Sequence, residues 1–131
     1  MKFLETFGRI LFALVFLFFG VMHFLKADPL VQNLLKGWPL AEGMVYVSGM
    51  ALILAGISIM INIKARLACF LLALFLLICI LGIHMPSIVA QKHNTLPLIY
   101  SSGKAGIAFT NLLKDIALLG AALSYGASLK N

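Results

Sequence analysis

Apolar residues in this chain come in long unbroken runs, without the three-and-four spacing of a soluble helix or the alternation of a half-buried strand. Four runs reach the roughly 20 residues that an α-helix needs to cross about 30 Å of hydrocarbon. They cover about residues 7–25, 43–63, 67–85 and 105–124. Inside lipid the backbone must satisfy its own hydrogen bonds, so these runs predict helices; a membrane barrel would show shorter alternating segments. Pro86 predicts the end of the third span, and the hydroxyls of Ser101 and Ser102 predict caps ahead of the fourth.

The polar connections differ in length. Residues 62–66 form a tight link that forces the second and third spans into an antiparallel hairpin. The first connection, 26–42, predicts a short helix of its own. Asp28 followed by Pro29 reads as an N-cap, and Gly37 with Pro39 beyond it reads as a stop. Between them Leu30, Val31, Leu34 and Leu35 share one face, opposite Gln32, Asn33 and Lys36. This face predicts a helix lying on the membrane surface, with Trp38 anchored at headgroup depth. The second long connection, 86–104, is polar at Gln91, Lys92, His93 and Asn94, with Tyr100 near the interface. The expected fold is therefore all-α: one integral membrane bundle, residues 1–131, of four transmembrane helices with a short interfacial helix in the first loop.

Composition supports this picture. Apolar residues make up 63% of the chain and charged residues 11%, whereas soluble domains carry about 25% charged residues. A chain of this length could not hide so much hydrocarbon from water. The formal net charge of +6 does not point to nucleic acid, because the ten basic residues are scattered and most sit beside apolar runs. The N-terminal run 10–25 exceeds the usual h-region of about 7–15 residues, and no A-x-A-like site follows it, so it reads as a retained first span. Cys69 and Cys79, ten residues apart in one run, would stand about 15 Å apart on a helix. They read as small packing residues, and a disulfide between them is disfavoured.

Counting Lys and Arg sets the orientation. One end of the bundle holds Lys2, Arg9, Lys64, Arg66 and Lys130, and the other holds Lys26, Lys36, Lys92 and Lys104. The slight excess predicts that the termini face the cytoplasm.

The fourth run carries the chemistry. It places Asn111, Lys114 and Asp115 among apolar residues. At mid-membrane Lys and Asp each cost about 2.5–3.5 kcal/mol, while each of the eight Ile, Leu and Phe residues returns about 0.3–0.6 kcal/mol. Such a helix is marginal alone and must lay its charges against its neighbours. Helical geometry puts Thr110, Asn111, Lys114, Asp115, Leu118 and Ala121 on one arc, with Phe109, Leu112, Ile116, Leu119 and Leu123 opposite. The polar arc is expected to point inward, with Ala117, Gly120, Ala121 and Ser124 permitting close helix approach. His23 ends the first span, His84 ends the third, and Tyr46 and Ser48 open the second. All seven of His23, Tyr46, Ser48, His84, Asn111, Lys114 and Asp115 are therefore expected in the half of the bundle away from the termini.

Plainer readings stand beside this one. Lys114 and Asp115 could form a structural ion pair, either histidine could be an interfacial residue with its tip in headgroup water, and the stripe Phe12, Phe16, Phe19 and His23 could be packing or lipid contact. No metal site is expected: His23, His84 and Asp115 have no recognised ligand spacing, and Lys114 beside them would repel a cation. No nucleophile–base motif, phosphate loop or haem-attachment C-x-x-C-H occurs in the sequence.

Several motifs in order carry a family resemblance. They are Arg9-Ile10 leading into FGVMHF (19–24), then VYVSGMALILAGI (45–57), KARLA (64–68), LGIHMP (81–86) and NLLKDIALLGAAL (111–123). Together these resemble the DoxX family of small four-helix bacterial membrane proteins, with His84 and Lys114 matching its recurrent histidine and lysine. The chain departs from it in two places: Ser48 stands where many members have a glutamate, and Lys114-Asp115 stands where they have Lys-Asn. The departures suggest that Asp115 has taken the place of the missing glutamate. The resemblance implies a bacterial inner-membrane location and quinone-linked redox, since the family takes its name from a subunit of an archaeal thiosulfate:quinone oxidoreductase or terminal oxidase assembly. On that basis the chain would be an accessory subunit of a membrane redox complex, with a quinone and a redox protein as partners and a homo-oligomer possible. A non-catalytic assembly or lipid-binding protein and a small-solute transporter are the other readings. Small multidrug transporters share the length and span number, but carry a glutamate in the first span that is absent here.

Overall fold

The computed structural model of the protein describes residues 1–35, 37–90 and 104–130. The polar stretch 91–94, Tyr100, and the predicted caps Ser101 and Ser102 lie outside the described residues, as do Lys36 and Asn131. Among the described residues all regular structure is helical: α1 (Lys2–Leu25), α2 (Ala27–Leu34), α3 (Ala41–Ile61), α4 (Ala65–Cys79), a π-helical turn (Ile80–His84), α5 (Met85–Ala90) and α6 (Lys104–Ser128).

Three of these are long and apolar enough to cross a membrane: Lys2–Leu25, Ala41–Ile61 and Ala65–His84, the last joining α4 to the π turn. Large side chains such as Leu14, Phe18, Leu54, Leu74 and Ile78 point outward from them, as expected where the solvent is lipid. α6 covers the predicted fourth run and has the length to cross, with Asn111, Lys114 and Asp115 interrupting its apolar residues.

The helices run in a folded row. α1 lies along α3, α3 packs on α4, and α4 lies along α6. The closest approach is between α1 and α3, and small residues make it possible. A methyl group added at Gly20 would come within 2.8 Å of the Gly49 carbonyl, and one at Gly56 within 2.8 Å of the Leu17 side chain. The core beneath this contact holds Ala13, Phe16, Leu52, Ile59, Ala68, Cys69, Leu72 and Leu76, with Leu118, Leu119 and Tyr125 of α6 packed against it. Between α3 and α4 the chain turns in three residues. Asn62 and Lys64 adopt the left-handed conformation there, and the Ser58 hydroxyl donates to the Ile63 carbonyl. This is the hairpin expected from the short link.

Four expectations need correction. First, Asp28 does not cap α2. α1 runs into α2 with only Lys26 between them, and the Leu30 N–H bonds to the Lys26 carbonyl at 3.1 Å. Asp28 and Pro29 instead occupy the first turn. There a carboxylate suits the helix dipole, and a missing N–H costs nothing because those donors have no partner inside the helix.

Second, the apolar face of α2 is taken up in part by protein. Leu30, Val31 and Leu35 pack with Ala27, Ala41, Val45 and Ile83, covering the end of the bundle.

Third, Pro86 does not stop the third span. A proline ring collides with the carbonyl four residues earlier in a regular α ladder, here that of Gly82. The π turn avoids this by widening the ladder, so that the Met85 N–H reaches back five residues to the Ile80 carbonyl. The helix then continues through Met85–Ala90.

Fourth, α6 is turned about a quarter of a revolution from the expected inward face. Leu112, Asp115, Ala122 and Gly126 are buried, while Thr110, Ala117, Gly120, Ala121 and Ser124 are exposed. The tight spot is at Gly126, where an added methyl would lie 2.9 Å from Cβ of Cys69. α4 takes up the Asp115–Ala122–Gly126 face, which leaves Asn111, Lys114 and Leu118 on the flank facing α1.

Candidate functional site

That flank borders a cavity. Backbones of α1 and α6 do not pack closely along the seam between them, and at the α2 end the seam holds a space of about 450 Å³. Ligand sites usually fall between about 300 and 1,000 Å³. Its walls are mostly apolar, from Phe16 and Phe19 of α1, Leu52 of α3, Phe75 and Leu76 of α4 and Leu118 of α6. Five polar side chains converge on it: His23, His84, Asn111, Lys114 and Asp115. It reaches the surface at Phe18 and Lys26, both exposed.

The π turn presents His84 here. Nδ1 of its ring lies 3.1 Å from the Cys79 carbonyl, five residues back, and 3.4 Å from Oδ2 of Asp115. A carbonyl can only accept, so Nδ1 must carry the hydrogen, and it is shared between the two oxygens. This leaves Nε2 as the ring nitrogen able to take a further proton. His23 is oriented in the same way, with Nδ1 2.7 Å from the Phe19 carbonyl one turn earlier.

Asp115 is the most sheltered carboxylate among the described residues, its side chain only 10% exposed. Lys114 stands 4.0 Å from its other oxygen and is 39% exposed. The ammonium also donates to Oδ1 of Asn111 at 3.4 Å and sits 4.3 Å from the centroid of the Phe19 ring. That distance is well inside the range of a cation–π contact. Lys114 thus faces the cavity over an aromatic floor, held by Asn111 one turn before it.

Tyr46 and Ser48 are placed elsewhere. The face of α3 toward α1 is taken by Gly49, Leu52 and Gly56, which turns Tyr46 outward against the Phe24 ring at 5.5 Å. The Ser48 hydroxyl donates to the Val45 carbonyl of its own helix at 2.8 Å and lines a smaller, neighbouring space with His23. Three helical segments, not four, therefore bring polar groups to the cavity. Among the described residues no group of three or more His, Cys, Asp or Glu side chains is placed to hold a metal ion.

A comparison with protein-family profiles matches DoxX over residues 4–85, more than half of the 131-residue chain. The chain belongs to the DoxX family. Comparisons with curated proteins and with solved structures return no match. The DoxX match takes in α1 to α4 and the π turn with His84, and ends before α6, so the parallel for Lys114 rests on the sequence motif alone.

Two participants were not singled out for this role from sequence. Phe19 belongs to a stripe readable as packing or lipid contact, and only the position of Lys114 reveals its ring as a cation seat. Cys79 lines the cavity and lends its carbonyl to His84; its only sequence signal is the five-residue spacing that a π turn requires.

Proposed function

We propose that this DoxX protein crosses a bacterial inner membrane four times, α6 included, with both termini cytoplasmic, and serves as an accessory subunit of a quinone-linked redox complex. The cavity between α1 and α6 would hold the quinone headgroup. The observation that supports this most is the pairing, within one apolar cavity, of Lys114 seated on Phe19 with the imidazole–carboxylate pair His84–Asp115.

The donor set suits such a ligand. A quinone ring offers two carbonyl oxygens that need hydrogen-bond donors, and its flat faces and tail need apolar walls. The Lys114 ammonium can donate to one oxygen, and the aromatic and aliphatic walls can bury the ring. When bound, the quinone supplies reversible two-electron chemistry coupled to proton uptake. Nε2 of His84 can take or release a proton while Asp115 steadies the ring through Nδ1. The sequence has no haem-attachment motif, so a partner protein would deliver the electrons.

Extraction of bound small molecules from protein purified in mild detergent tests this. Quinone should co-purify and be lost in H84L and K114M. Phospholipid alone in the cavity would favour the non-catalytic lipid-binding or assembly reading, and solute-driven flux in proteoliposomes would favour transport.

A further inference from the structure

The α1–α6 seam opens a second time at the end that holds the termini. The space there is about 590 Å³, walled by Glu5, Arg9 and Phe12 of α1, Asn62 of the α3–α4 turn, and Tyr125 and Ser128 of α6. It is independent of the cavity above. The Phe12 ring meets Phe16 edge-on at 4.9 Å and Tyr125 at 6.1 Å, and these aromatics form a floor between the two spaces.

We propose that this space binds the phosphate of an anionic phospholipid headgroup through the Arg9 guanidinium. Nε of Arg9 is buried and has no hydrogen-bond partner. A buried guanidinium N–H left unpaired is unfavourable, so it marks a place where an acceptor is missing. The Arg9 side chain also bonds to the Tyr125 side chain, which holds the guanidinium in place. The terminal N–H groups of such a fork match two oxygens of a phosphate, and a turn of the half-buried side chain toward the space would bring Nε to one of them.

Charge and location select the ligand. This end of the bundle carries Lys2, Arg9, Lys64, Arg66 and Lys130 against the single acid Glu5, a net charge of +4. Glu5 lies on the cavity wall and repels an anion, but the surrounding cations outnumber it. The space sits where α1 begins, α3 turns and α6 ends, which is headgroup depth for helices of this length. Leu4, Phe12 and Leu129 supply apolar walls beside the polar ones, as a lipid needs and a free anion does not.

Native mass spectrometry of the full chain in detergent tests the site, with phosphatidylglycerol, phosphatidylcholine and inorganic phosphate as separate probes. Phosphatidylglycerol should be retained about tenfold over phosphatidylcholine: both offer phosphate oxygens, but the choline ammonium offsets the phosphate charge and is repelled by the cations of this end. R9Q should lower retention and reduce the preference, and R9K should keep part of both. Displacement by millimolar inorganic phosphate would assign the site to phosphate from any source, and resistance to it would assign the site to lipid. Equal retention of the two lipids by the wild-type chain would overturn the proposal even if R9Q did not fold, as would an unchanged preference in R9Q. Quinone retention is not expected to follow R9Q, so the two cavities can fail separately.

Discussion

Nδ1 of His84 lies 3.4 Å from Oδ2 of Asp115, tying the π turn at the end of the third span to the middle of α6. Lys114, adjacent to Asp115 in sequence, is farther from it at 4.0 Å and nearly four times as exposed. His84 is therefore the principal partner of Asp115. A double-mutant cycle with H84L and D115L should give a coupling of about 1.5–3 kcal/mol, the range of a hydrogen bond to a charged group. The K114M–D115L cycle should stay within about 1 kcal/mol, as for a solvated pair. Both can be read from unfolding in detergent. Equal couplings would overturn the ranking.

Lys114 has its second anchor in the Phe19 ring. Replacement of Phe19 by leucine keeps bulk and removes the π face, so F19L should destabilise the protein by about 0.5–2 kcal/mol, whereas F19W should preserve the contact. In a K114M background the two variants should become alike once packing is accounted for. If leucine and tryptophan at position 19 were equivalent with Lys114 present, the ring would be filler alone.

The glycines separate packing from propensity. G49A would drive a methyl to 2.8 Å from Cβ of His23 and should cost about 1–3 kcal/mol by overpacking. It should also displace the imidazole and weaken quinone retention if that ligand is bound. G120A meets nothing within 4 Å. It should be neutral, or stabilising by up to about 1 kcal/mol through helix propensity. Thermal unfolding of the two variants side by side checks this, and equal losses would contradict the close α1–α3 approach.

Long apolar runs are a signal no local detail can override, so α1, α3 and α4 with its π turn were legible, though α1 begins at Lys2, ahead of the apolar run read from residue 7. Where the sequence misled, a tertiary contact decided. Pro86 carries a stop signal, but a π turn is not written in propensities and lets the helix pass. On α6 the polar arc was read as the inward face because charge avoids lipid. Packing instead buried Ala122, set Gly126 against Cys69 and left Lys114 at the rim of a cavity. A cavity inside the bundle shelters charge as well as a helix does, and periodicity cannot tell the two apart. Level along the bundle was legible for His23, His84, Asn111, Lys114 and Asp115, which line one cavity. Azimuth was not, which is why Tyr46 and Ser48, at similar depth, were grouped with them.

Azimuth also bears on whether α6 crosses. Lys and Asp at mid-membrane cost about 2.5–3.5 kcal/mol each on a helix surrounded by lipid. Here the Asp115 carboxylate faces His84, and Lys114 shares Asn111, Phe19 and the cavity, so neither charge needs to meet acyl chains. The protected helix should then span, bringing residue 130 back to the side of residue 2. Single cysteines introduced as K2C, K64C and K130C in a C69A/C79A background can be probed with a membrane-impermeant maleimide. All three should label from one side, the cytoplasmic one if the excess of Lys and Arg sets orientation. With α6 lying flat instead, K130C would label from the face opposite to K2C and K64C, because three spans carry the chain across once more than they return it.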